Sequence, residues 1–233
     1  MLYCLGVLAG TLALVSPLDE LGEQKLLTAH MAQHLVIGDI APLLIVLGLR
    51  GPMSFFVLPS SVLRRLGHIG VLRTALRLLL RPSVSFAIWA AVVYGWHIPA
   101  AYDAAIAHPA LHQAEHATFF LAGLLVWTQI LDPGRQRRLG AGARSLYAVG
   151  VLAAGMPLAE TLILAGAVYP HYRAILHRPL GLTAAQDQSR AGLLMTAEQI
   201  VTLVTAAAML LWDHLEELEQ NAPQPDTTRL AHP

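Results

Sequence analysis

A single cysteine, Cys4, is the whole thiol inventory of this 233-residue chain. An intrachain disulfide, a Cys-x-x-Cys motif and an all-thiolate metal site are therefore excluded. Charge is nearly as scarce: 13% of residues are Asp, Glu, Lys or Arg, against about 25% in a soluble domain. The net charge is zero and no basic stripe stands outside the loops, which argues against nucleic acid as a partner. Neither a phosphate-cradling glycine loop nor a nucleophile elbow occurs. Two His-x-x-x-His words lack the glutamate of the zinc-protease motif, so no general base stands where that chemistry needs one. No catalytic activity is expected.

What the chain has instead is apolar length. Hydrophobic residues make up 55% of it, and its mean hydropathy is +0.55. Five stretches are long enough to cross about 30 Å of hydrocarbon at about 1.5 Å per residue. They run over Leu26–Leu49, Ser83–Ala101, Leu111–Leu131, Leu146–Val168 and Ala191–Trp212. A sixth, Met1–Ser16, is apolar but short, and without a basic start it reads as a truncated first span and not as a signal peptide. The expectation is an all-α integral membrane protein, a single helical domain over residues 1–213 with about six spans.

The connections orient the bundle. Eleven of the fifteen Lys and Arg residues fall on one side: arginines 50, 64, 65, 73, 77 and 81, then 135, 137, 138 and 144, then 229. The opposite side holds Lys25, Arg173, Arg178 and Arg190. The basic excess marks the cytoplasmic side, which places both termini inside and segments 17–25, 102–110 and 169–190 outside. Leucines and arginines alternate at helical spacing over residues 60–80, as expected of an interfacial amphipathic helix on anionic lipid. Residues 214–233 are acidic and then rich in Pro and Gln, which predicts a frayed tail.

On that map eight of eleven histidines face outward. His30-Met-Ala-Gln-His34 and His112-Gln-Ala-Glu-His116 each set two imidazoles four residues apart, on one face of a helix. Both words descend from the outer surface, so their rings fall at matching depth. Imidazoles inside apolar spans are costly unless something binds them, and this spacing suits a metal ion or a haem edge. Ligand candidates are His30, His34, His112 and His116, joined by His97 and Glu115. Met31, Met195, Glu160, Glu198 and Asp39 are accessory candidates, as soft ligands or as hydrogen-bonding partners of the ligands. His97 alone reads as a packing residue as readily as a ligand, and methionines fill gaps by default. Three functions stay open on the residues alone: copper binding, a haem held by His34 and His116, and a small-ion transporter using Asp39, Glu160 and Glu198.

Six strings in order carry a resemblance. They are Ser16-Pro17-Leu18-Asp19, His30-Met-Ala-Gln-His34, Ala41-Pro42 with Leu47-Gly48, Trp96-His97-Ile-Pro99 with Tyr102, Leu111-His112 with Glu115-His116, and Asp187-Gln188 with Ala191-Gly192-Leu193. Together they resemble the polytopic CtaG-type family of cytochrome c oxidase assembly factors, over about residues 5–213. The resemblance implies a bacterial inner-membrane protein that helps mature haem-copper oxidases, with copper as cargo and an oxidase subunit as partner. It leaves open whether the chain forms a homo-oligomer. Two departures stand out: the family carries a further N-terminal span, which would make seven, and Thr196 replaces an aromatic residue.

Overall fold

A computed structural model describes residues 1–49, 68–134 and 138–222. All regular structure among them is helical. The helices are α1 (Leu2–Val15), α2 (Pro17–Gln24), α3 (Leu27–Gly48), α4 (Gly70–Leu79), α5 (Pro82–Trp96), α6 (Pro99–Ala107), α7 (Pro109–Leu131), α8 (Ala141–Leu164), α9 (Pro170–Ala174) and α10 (Ala184–Gln220). Four of them, α3, α7, α8 and α10, are each long and apolar enough to cross a membrane. The count rises to six if the bent pairs α1–α2 and α4–α5 each make one span. The expected all-α membrane bundle is what forms.

Several boundaries differ from expectation, each because a proline or a cap acts locally. The third span ends at Trp96, since Pro99 starts a new helix and holds the preceding residue extended. The expected loops 17–25 and 102–110 are largely helical for the same reason, with Pro17 and Pro99 at first-turn positions. Helix α8 begins earlier than the apolar run and stops at Leu164, so Val168 lies outside it. The acidic segment after Trp212 continues α10 to Gln220 and does not fray there. The proposed amphipathic helix is present from Gly70 to Leu79, with no buried residue and a 75° bend into α5. Its expected start at residues 60–67, the loop arginines 50, 64, 65, 135 and 137, and the tail beyond 222 fall outside the described residues.

Helix α3 sits at the centre, with α1 and α2 against one flank, α7 against another and α10 against its first turns. Its start is held from a distance. Asp187, at the head of α10, accepts from the Leu27 and Thr28 amides at 2.7 and 3.0 Å and from the Thr28 hydroxyl at 2.7 Å. A carboxylate at a helix N-terminus satisfies amides that have no partner within the helix. Next to it, Gln188 donates to the carbonyls of Leu162, Ala165 and Gly166 and accepts from the Val168 amide, closing the end of α8.

Two apolar clusters fill the bundle. One gathers Met31, Val93, Phe119, Leu162 and Met195 with three tyrosines at the histidine end. The other gathers Val46, Val126, Trp127, Ile130 and Leu210 further along the same helices. Between them, α3 and α10 each widen into a π turn, at Val36–Ile40 and Ile200–Val204. In α3 the cause is near: Pro42 has no amide to donate, so the helical ladder skips a bond. Asp39 lies in this turn and accepts from Trp127 Nε1 and from the Thr202 hydroxyl of the facing turn. Asp39, Trp127 and Thr202 thus satisfy one another at the middle of the bundle.

Backbones of α3 and α7 meet at Gly38 and Gly123, where a side chain on Gly123 would run into the Gly38 carbonyl. Small residues permit such contact between membrane helices. Gly123→Val is expected to force these helices apart and cost on the order of 1–3 kcal/mol. A lowered thermal midpoint in detergent, relative to Gly150→Val where the glycine faces open space, checks it.

Candidate metal centre

The two helical words converge as their spacing predicts. His30 and His34 descend α3, His112 and His116 descend α7, and all four are buried. Ring centroids lie 4.2 Å apart within each word and 5.0–6.4 Å apart across the two helices. One ring nitrogen from each of the four residues can be chosen so that all lie within 4.8 Å of one another. Among the described residues, no donor or acceptor pairs with the buried Nε2 of His30, His34, His112 or His116. Leaving a buried polar atom unpaired costs about 1–3 kcal/mol, so four of them on one small volume are paired by something else or are expensive. Neutral imidazole nitrogens in that arrangement suit a transition-metal ion.

The other candidates take different places. Glu115 is buried beside His34, with its Oε1 3.9 Å from His34 Nδ1, beyond hydrogen-bonding reach. Neither of its carboxyl oxygens has a hydrogen-bond partner among the described residues. His97 stands apart from the four-histidine group: its Nδ1 lies 2.7 Å from the Val93 carbonyl and its Nε2 is buried without a partner. Phe119 flanks both His97 and His34, at centroid distances of 6.3 and 4.9 Å. Met31, Met195, His34 and His97 line one internal cavity, whose other wall carries Asp39 and Glu198. Glu160 is exposed on α8 and lines none of this cavity.

The geometry gives further residues places at the site that the motifs did not assign. Tyr102, on α6, sets its ring 5.3 Å from His30. Its hydroxyl is 3.4 Å from that of Tyr172, which donates to the Gly22 carbonyl at 2.5 Å. Burial pushes the phenols of Tyr102, Tyr169 and Tyr172 above their ordinary range, so they stay protonated donors. Helix α2 is thereby pressed onto the site: an added carbon at Gly22 would sit 2.8 Å from the His30 Cα. Its Glu23 brings Oε1 to 2.6 Å from His112 Nδ1. A carboxylate on one ring nitrogen orients an imidazole so that the other can face a metal. Nothing in the spacing of Asp19 and Glu23 announced this, because it depends on how α2 folds over α3.

The family model described as cytochrome c oxidase caa3 assembly factor matches residues 1–217. The chain belongs to that family. Comparisons with curated proteins and with solved structures found no match. Membership in the caa3 assembly factor family agrees with the resemblance carried by the six strings, and residues 1–217 include every site residue described above.

Proposed function

We propose that this assembly factor holds copper at the four-histidine centre and delivers it to an oxidase subunit. The observation that carries the reading is the convergence of four buried imidazoles with unpartnered nitrogens at one end of the bundle. Neutral imidazoles hold either copper oxidation state, and the thioethers of Met31 and Met195 in the adjoining cavity would favour the reduced one. A cation there would also give the buried Glu115 carboxyl the partner that it lacks. In the sequence, eleven of the fifteen Lys and Arg residues fall in the connections opposite the histidine words, so the positive-inside rule puts the histidine end outward, facing the outer side of a bacterial inner membrane. That is where cargo would be accepted and released. No residue role here requires catalysis.

The packing speaks against the haem alternative. A porphyrin between His34 and His116 needs a slot between α3 and α7, and one turn below His34 these helices touch backbone to backbone at Gly38 and Gly123. For the transporter alternative, Asp39 is already held by Trp127 and Thr202, and Glu160 lies outside the cavity. Protein purified from copper-supplied cells is expected to carry copper, with nitrogen-rich coordination by X-ray absorption and no Soret band. A Soret band, or metal-free protein that takes up no added copper, would overturn the proposal.

A further inference from the structure

Outside the four-histidine group, a second set of potential ligands lies at the same end of the bundle. Asp19, Glu23 and His112 each offer an atom within 4.8 Å of the others. His112 is the member common to both sets. We propose that these three residues form a second metal site, which accepts a divalent transition-metal ion and shares His112 with the four-histidine centre.

Three features carry this. First, the ring of His112 is divided: Nδ1 lies 2.6 Å from Glu23 Oε1, while Nε2 is buried and has no partner. One imidazole therefore addresses a carboxylate on one side and leaves a free nitrogen on the other. Second, the two sites differ in access. The Glu23 side chain is 31% exposed against 8% for His112, and Asp19 is also half-buried, whereas His30 is fully enclosed. Third, the carboxylates are built in place. Gln33, one residue before His34 on α3, donates to Asp19 Oδ1 at 2.7 Å. On α2, the Glu23 carbonyl lies 2.7 Å from His171 Nε2 and the neighbouring Gly22 carbonyl accepts from Tyr172. Two carboxylates and an imidazole suit a divalent ion of borderline hardness, and four imidazoles a softer one. An ion bound by Asp19, Glu23 and His112 Nδ1 takes the place of the proton that Nδ1 shares with Glu23, which is released to solvent, so with both sites filled His112 is a bridging imidazolate. An ion entering at Asp19 and Glu23 would exchange oxygen ligands for nitrogen ligands by passing across His112. The transfer half of this inference rests on the four-histidine reading, but the second site does not.

The test titrates copper(II) chloride into the metal-free, full-length protein in detergent, counting bound ions and reading ligand type by electron paramagnetic resonance. Wild type is expected to bind about two ions per chain, and the isosteric variant D19N/E23Q about one. The variant H30A/H34A/H116A, which keeps His112, is expected to bind about one ion in a mixed oxygen and nitrogen field. Loading of the four-histidine centre in D19N/E23Q should slow at least about tenfold, as expected when partners of a metal ligand are lost. Wild-type stoichiometry in D19N/E23Q would overturn the second site and leave Glu23 as an orienting partner of His112. A metal-free H30A/H34A/H116A would overturn it too. If that variant instead binds as wild type while D19N/E23Q loses an ion, the four-histidine reading fails and the second site stands.

Discussion

Copper retention is expected to fall by more than about 100-fold in His34→Ala/His116→Ala, and oxidase maturation with it. These two rings face each other across α3 and α7 at 5.0 Å, and each carries a buried Nε2 without a protein partner. Loss of an outer-shell partner alone typically costs 10–100-fold in metal affinity, so loss of two direct ligands should exceed that. The fold should survive the change, because neither ring nitrogen is used to hold another element in place. His97→Ala should lose less copper, since His97 stands outside the four-residue group and its Nδ1 is committed to the Val93 carbonyl. Glu160→Gln, on the exposed face of α8, should retain copper as wild type does. Metal analysis of the purified variants, beside oxidase activity in the producing membranes, checks the order. Equal copper in the double variant and wild type would remove the proposed function.

The largest structural loss is expected from Asp187→Ala. Leu26, which immediately precedes α3, supplies no side-chain cap, and Asp187 takes over that role from more than a hundred residues away. Its fully buried carboxyl accepts from two amides and a hydroxyl at 2.7–3.0 Å. Alanine would leave the buried Leu27 amide and the half-buried Thr28 amide without this acceptor, while the Thr28 hydroxyl keeps the backbone carbonyl of residue 187, for a loss of about 2–4 kcal/mol. His30 follows Leu27 by less than one turn, so a loosened start of α3 displaces the first ligand as well. The expected outcome is a lower thermal midpoint in detergent together with reduced copper. Asp187→Asn keeps one acceptor oxygen and should fall between alanine and wild type. An alanine variant as stable as wild type would show that the α3 terminus is held by other contacts.

Asp187 also marks the limit of what the linear chain discloses. It appears in the Asp187-Gln188 string, so its presence in a family pattern was legible, but not its task. The histidine words were different. Their four-residue spacing puts each pair on one helical face, and alternation of the spans puts both words at one end of the bundle. Those two local periods suffice to predict that the rings share a depth, and they do. Helix ends were less legible, because Pro17 and Pro170 start helices inside segments read as connections and Pro99 starts one inside an expected span.

By itself, then, the sequence determined an all-α membrane bundle and the four imidazoles that meet in it, since hydropathy and helical period are properties of neighbouring residues. Tertiary structure decided the rest: that His97 stands apart across Phe119, that Glu160 faces away, and that Asp19 and Glu23 reach His112. It also decided that α3 and α7 close at Gly38 and Gly123 without a slot between them. These follow from the direction in which α2 folds back after Val15 and from which helix α10 caps. Such choices are made by contacts between residues far apart in the chain, and no local period encodes them.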